Sequence, residues 1–209
     1  MTDAPALVVH IVDDEPALRD SLGFLFASRG VDARTWPSGE AFLEAWPQAD
    51  CGCIVLDVRM EGLSGPQVLG ALVGREGSVT ALPPIIFLTG HADVPLAVQS
   101  LKDGAFDFLE KPFNDNQIVD LALRAMDLHR RRSRESDSLA EIAQRLATLS
   151  GREVEVMDLI LEGKLNKQIA DRLGIAIRTV EVHRARVLQK MGARSSVELA
   201  QLKARLDGR

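Results

Sequence analysis

The stretch CIVLDVRM, Cys53 to Met60, runs three apolar residues, Ile54, Val55 and Leu56, straight into the carboxylate of Asp57 and turns apolar again at Val58. An unbroken apolar run of this length fits a strand buried on both faces, as parallel sheets require. The pattern recurs along the first 125 residues. ALVVHIV (Ala6–Val12) runs into Asp13-Asp14, PPIIFLT ends on Thr89-Gly90, and AFDFLE leads to Lys111-Pro112, with VDARTW a weaker strand after the first helix. Between them lie helical segments. Leu18, Leu22, Leu25 and Phe26 repeat at helical spacing up to Gly30; SGEAFLEAW and SGPQVLGALVG follow; Asp93 to Lys102 carries Val94, Ala97, Val98 and Leu101; NDNQIVDLALRAMDLH closes the set. Ser38 and Asn114 stand where caps are wanted. Five strands alternating with five helices predict a doubly wound, flavodoxin-like parallel sheet covered on both faces.

In such a sheet ligands gather outside the carboxyl ends of the strands. That edge would collect Asp13, Asp14, Asp57, Thr89 and Lys111. Each has an ordinary explanation alone: a carboxylate pair at a helix start, a loop acid, a turn threonine, a surface lysine. Their order, each after a separate apolar run, is what carries information. Clustered carboxylates repel unless a cation joins them, and a few oxygen ligands with room for water suit Mg²⁺. A carboxylate beside Mg²⁺ can attack phosphorus and form an aspartyl phosphate. Such transfer needs positioning and charge neutralisation, which Mg²⁺ and Lys111 would supply, with Thr89 donating to a phosphoryl oxygen.

Residues 5–125, through VDDEP, LDVRM, LTGHADVPLAV and GAFDFLEKPF, resemble the receiver domain of bacterial two-component response regulators. The resemblance implies that Asp57 accepts a phosphoryl group from a histidine kinase. It further implies that Asp13, Asp14, Asp57 and the backbone carbonyl of Arg59 hold Mg²⁺. Thr89 and Lys111 would form the switch pair, and Phe108 would be the rotating aromatic. Homodimerisation through the fourth helix, fifth strand and fifth helix would follow. Glu61 stands where these proteins usually carry proline, which loosens the loop after Asp57 and adds a negative charge. His91 reads as a solvated loop residue.

The charge distribution separates this acidic region from the rest of the chain. Residues 1–126 carry a net charge of −10, residues 127–148 of +1 and residues 149–209 of +4. A basic module is compatible with nucleic acid. RRRSRESDS (Arg130–Ser138) is charged, yet Leu139, Ile142, Leu146 and Leu149 resume helical spacing, so both a continuous helix and a flexible linker fit residues 126–147. From residue 148 the pattern is all helix. Ser150 with Glu153 makes a capping box; NKQIADRLG, a short turn at Gly174 and IRTVEVHRARVLQKMG have helix-turn-helix spacing; SSVELAQLKARL closes the chain.

In the second helix of that pair, Val180, Val187 and Met191 would face the core, and Arg178, Glu181, Val182, Ala185 and Gln189 would share the face that enters the major groove. Thr179 belongs with this set. Lys167, Arg184, Arg186 and Lys190 flank it and would hold phosphates. The span LSGREVEVMDLILEGKLNKQIADRLGIAIRTVEVHRARVLQKMGARSSVELA is similar to a LuxR-type DNA-binding domain, so the whole chain resembles the NarL/FixJ family, leaning to FixJ. That implies a transcription regulator binding promoter DNA, with RNA polymerase a further partner, rather than a turnover enzyme. Ala176 replaces a frequent capping serine, a loss of about 0.5–2 kcal/mol.

No apolar run approaches the roughly 20 residues of a membrane helix, the N-terminus lacks a targeting pattern, and Cys51 and Cys53 read as reduced thiols, so a cytoplasmic protein is expected. Two other classes remain: a DNA-binding protein whose receiver only docks or dimerises, and a flavodoxin-like enzyme. The second would want a glycine-rich phosphate loop where VDDEPAL places carboxylates.

Overall fold

A computed structural model describes residues 7–90, 98–99 and 101–208. Its first unit, Met1–Arg132, is built on five parallel strands: β1 (Val8–Val12), β2 (Ala33–Trp36), β3 (Cys51–Asp57), β4 (Ile85–Thr89) and β5 (Asp107–Glu110). They lie in the order β2-β1-β3-β4-β5, with β1 against β3 in register from Val9↔Cys53 to Val12↔Leu56. The helices α1 (Pro16–Ser28), α2 (Gly39–Glu44) and α3 (Gly65–Glu76) connect strands, and α4 (Asp115–Ala147) follows β5. The helix expected over Asp93–Lys102 lies largely outside the described residues, as does His91.

Alternation along the strands divides the core in two. Val9, Ile11, Cys53, Val55, Ile86 and Leu88 pack with Leu22 and Phe26 of α1 and with Ile118, Ala122 and Ala125 of α4. Val12, Ile54, Leu56, Ile85 and Phe87 pack with Phe42, Val68 and Leu72 from α2 and α3. Each Val, Leu, Ile or Phe side chain buried this fully contributes about 1.5–3 kcal/mol. The sheet is thus insulated on both faces, and its carboxyl edge is where polar groups can meet. Cys51 and Cys53 are buried free thiols.

One buried polar group is unexpected. His10 is fully buried in β1; its Nδ1 accepts from Trp36 Nε1 at 3.0 Å, and the two rings stack with centroids 5.8 Å apart. Burial pushes its pKa down to about 4, against the pull of Asp50. An unfolded histidine binds a proton near pH 6.5, so acid favours the unfolded chain. The contribution of His10 to stability should therefore fall as pH drops from 6.5 towards 4. His10→Gln should flatten that part of a denaturation-versus-pH series; an unchanged slope would show that another group titrates.

The second unit, Ser133–Arg209, contains the end of α4, then α5 (Gly151–Leu161), α6 (Asn166–Leu173), α7 (Ile177–Met191) and α8 (Ser196–Asp207). Residues 126–147 are helical as part of α4. Ser150 caps α5 through the backbone N–H of Glu153, whose side chain returns to the N–H of Ser150. Gly174 ends α6 at φ +65°, a conformation glycine adopts without a Cβ penalty, and this lets α7 start three residues on. Val156, Ile160, Ile169, Val180, Val187, Met191 and Leu199 form the core of this unit.

Candidate functional site

The strand periodicity that buries Val9 and Ile11 places Asp13 one step past β1, and the one that buries Cys53 and Val55 ends β3 on Asp57. Oxygens of Asp13, Asp14 and Asp57 lie within 4.8 Å of one another. Asp13 and Asp57 are buried, whereas Asp14 is open to solvent. From the end of β5, Lys111 reaches back so that its Nζ lies 2.9 Å from Asp13 Oδ2 and 2.9 Å from Asp57 Oδ1. The Lys111 backbone N–H donates to the Thr89 carbonyl at 2.8 Å, so β4 carries the residue that aims the ammonium. The Lys111-Pro112 peptide bond is cis.

Each carboxylate is held differently. Asp13 Oδ1 accepts from the Glu15 N–H at 2.8 Å, and its backbone carbonyl accepts from Arg19 Nη1 at 2.6 Å. Asp14 Oδ2 accepts from the Glu61 N–H at 2.8 Å, tying the first acidic pair to the loop after β3. Asp57 takes Lys111 as its charged hydrogen-bond partner. Burial, against the pull of Lys111 and aided by the charges of Asp13 and Asp14, raises its pKa to about 6. Burial alone would lower Lys111, but its bonds to Asp57 and Asp13 outweigh this and hold it above its ordinary value. The ammonium therefore stays charged and neutralises part of a strongly negative pocket.

The donor set is all oxygen, partly solvent-open and surplus in negative charge, which fits a small hard cation such as Mg²⁺. Asp13, Asp14 and Asp57 would hold it, and it would supply charge neutralisation to an incoming phosphoryl group. This acidic triad is typical of the Mg²⁺-binding site of receivers.

Of the other expected residues, Thr89 is fully buried and its Oγ1 donates to the Gly90 carbonyl at 3.1 Å. Phe108 is partly buried and packs against the α2–α3 side of the sheet. Arg59 follows two residues after Asp57, in the loop that Asp14 holds at Glu61. Sequence reading missed Arg19 and Glu40 as contributors to this edge. Glu40 Oε1 accepts from the Leu63 N–H at 2.8 Å, and only its place beside a helix start was visible beforehand.

In the second unit, α7 buries Val180, Val187 and Met191, and leaves Arg178, Thr179, Glu181, Val182, Ala185, Arg186 and Gln189 exposed, with Arg184 partly so. Val182 is 46% exposed, a large apolar side chain in the middle of a polar helix face. Ala176 is the N-cap and makes no side-chain capping bond. Lys167 is exposed on α6. Lys190 is engaged inside its own domain. Its Nζ lies 2.6 Å from Glu153 Oε2 and 3.0 Å from the Thr148 carbonyl. Lys190, with the backbone N–H of Ser150, holds the Glu153 carboxyl down at about 2. Lys190 follows Val187 by three positions and so sits at the edge of the buried face.

Comparison with known proteins identifies the families of both units. Residues 9–123 match the family described as response regulator receiver domain, and residues 147–203 match bacterial regulatory proteins of the luxR family. The chain is 66% identical to the C4-dicarboxylate transport transcriptional regulatory protein DctR of Rhodobacter capsulatus, over 94% of this chain and 99% of that protein. It is 44% identical to the transcriptional regulatory protein FixJ of Azorhizobium caulinodans, over 94% and 92%. Among solved structures, the response regulator StyR superposes with a TM-score of 0.87 at 36% identity, covering 95% of this chain and 98% of that one. Full-length FixJ from B. japonicum gives 0.60 at 40%, covering 99% and 100%. Among the described residues no helix is long and apolar enough to cross a membrane. A buried acidic pocket gripped by one lysine, on a sheet of order 2-1-3-4-5, and a helix-turn-helix with an exposed second helix thus belong to one chain: a response regulator of the NarL/FixJ family, a transcription regulator with a receiver and a LuxR-type DNA-binding domain.

Proposed function

We propose that this regulator accepts a phosphoryl group from a sensor histidine kinase on Asp57 in a Mg²⁺-dependent reaction, dimerises, and binds promoter DNA. The observation that carries the reading is Lys111 bridging Asp13 and Asp57 at 2.9 Å each. Asp13 is further tied by the Glu15 N–H, which leaves Asp57 the freer of the two buried carboxylates to react. Phosphorylation adds charge and acceptor oxygens beside Lys111 and Thr89. Thr89 then exchanges its bond to the Gly90 carbonyl for one to a phosphoryl oxygen, and Phe108 turns inward. This changes the face formed by the segment expected to be helical over Asp93–Lys102, β5 and α4, where Leu123 is 45% exposed, and that face pairs with a second copy. The functional boundaries follow as residues 5–125 for the receiver, 126–147 for the linker and 148–209 for DNA binding. Cytoplasmic location and contact with RNA polymerase belong to the same reading.

On DNA, Arg178, Thr179, Glu181, Val182, Ala185 and Gln189 read base edges, and Lys167, Arg184 and Arg186 hold phosphates. Lys190 joins them only by giving up its bond to Glu153. The 66% identity to DctR over nearly the whole chain supports a promoter of C4-dicarboxylate transport genes as the target.

The test is incubation with a small-molecule phosphodonor and Mg²⁺. Sedimentation should shift from monomer to dimer, and affinity for a duplex from such a promoter should rise. No change in either would overturn the reading. In the same assay Lys167→Ala should weaken binding to all sequences and reduce the salt slope by about 1; an unaltered slope would remove Lys167 from the phosphate contacts.

A further inference from the structure

We propose that Glu40 is a positioning residue for the loop that follows Asp57, and that its grip on that loop sets the affinity of the acidic pocket for Mg²⁺. The inference rests on reading Asp13, Asp14 and Asp57 as the cation site.

Glu40 lies in the first turn of α2, far from the pocket in sequence and outside it in space. Its Oε1 accepts from the Leu63 N–H at 2.8 Å. The neighbouring Gly62 has φ +79°, and a Cβ there would overlap the Glu40 carboxylate. The carboxylate thus occupies the volume a side chain at position 62 would claim, and the loop is shaped to receive it. Its own backbone N–H and that of Leu63 hold the Glu40 carboxyl below its ordinary value, so it is ionised when it accepts. Two residues away, the Glu61 N–H donates to Asp14 Oδ2 at 2.8 Å.

The segment 61–63 is therefore held by two carboxylates. One belongs to the pocket and one stands outside it. The loop also carries Arg59, whose backbone carbonyl is the remaining proposed ligand. Fixing Leu63 from α2 fixes where Glu61 can meet Asp14, and so restricts the positions Asp14 adopts. Groups that orient ligands from behind are commonly as sensitive to substitution as the ligands themselves. A carboxylate in the first turn of a helix also stabilises that helix by its charge. The two roles separate by substitution: Glu40→Gln removes the charge and keeps the oxygen that accepts from Leu63, whereas Glu40→Ala removes both.

The experiment is calorimetric Mg²⁺ titration of the full chain and its two variants, with amide hydrogen exchange followed at Leu63. Glu40 is exposed, so truncating it leaves the core intact. Glu40→Ala should weaken Mg²⁺ binding about tenfold and speed exchange at Leu63. Glu40→Gln should stay within about threefold of the parent in both, because the acceptor survives. Equal weakening in the two variants would assign Glu40 to helix charge and overturn the inference, as would an alanine variant that behaves like the parent. A parent chain that fails to bind Mg²⁺ would instead overturn the reading of the pocket, and this inference with it.

Discussion

Asp57→Ala should abolish labelling of the protein by a radioactive phosphodonor, and Asp57→Asn should do the same while leaving the fold at least as stable as the parent. The neighbouring carboxylates are poor substitutes. Asp13 is buried and holds Lys111 and the Glu15 N–H, and Asp14 holds the Glu61 N–H. The stability half of the prediction follows from the raised pKa. Folded Asp57 keeps its proton up to about pH 6, whereas an unfolded aspartate releases it near pH 4. The folded state therefore binds the extra proton at Asp57 between those values, and the contribution of Asp57 to stability falls as pH rises through that window. Above pH 6 the full cost of an ionised Asp57 is present, on the order of 1–3 kcal/mol with the pull of Lys111 already included. Asparagine removes that cost. Thermal unfolding at pH 7 and pH 5 should show the difference between parent and variant shrinking with acid. Loss of labelling with retained or raised stability separates chemistry from misfolding. Labelling that persists in either variant would move the acceptor elsewhere.

The carboxyl edge of the sheet was legible because each functional residue follows a run of apolar residues long enough to declare a buried strand. Asp57 is readable from Ile54, Val55 and Leu56, and Lys111 from AFDFLE. The capping box of Ser150 and Glu153 was legible because its two bonds join residues three apart. What could not be read were contacts between residues far apart in sequence with no period to connect them. Glu40 meets Leu63 across 23 positions, and Lys190 meets Glu153 across 37. His10 was hidden by the opposite effect: inside VVHIV it has the burial of its neighbours, and nothing in the run announces that Trp36 will donate to its Nδ1. The run from Arg130 to Ser138 fits a solvated helix as well as a linker, because charged residues carry no facial pattern. Only the folded structure places it within α4.

Gly65→Ala should lower the rate of phosphoryl labelling by about a hundredfold, the scale expected when a reacting group is displaced by about an ångström, although residue 65 has no chemistry of its own. Gly65 is the first residue of α3, and its N–H donates to the Val58 carbonyl at 3.1 Å. A Cβ added there would overlap the backbone carbonyl oxygen of Asp57 and come within 2.8 Å of Phe87 Cε1. Neither neighbour can yield cheaply. The carbonyl is backbone at the end of a central strand, and Phe87 is fully buried in the core under α3. Relief requires α3 or the end of β3 to shift, and overpacking of this kind typically costs about 1–3 kcal/mol. The shift falls on the residue that must hold its carboxylate against Lys111. Gly70 and Gly74, in the same helix, have open space where a Cβ would go. Alanine at either should stabilise α3 by about 0.5–1 kcal/mol and leave labelling unchanged. Rates and melting temperatures for the three variants would decide the matter. A Gly65→Ala protein labelled as fast as the Gly70→Ala protein would mean that the end of β3 can absorb the displacement without moving Asp57.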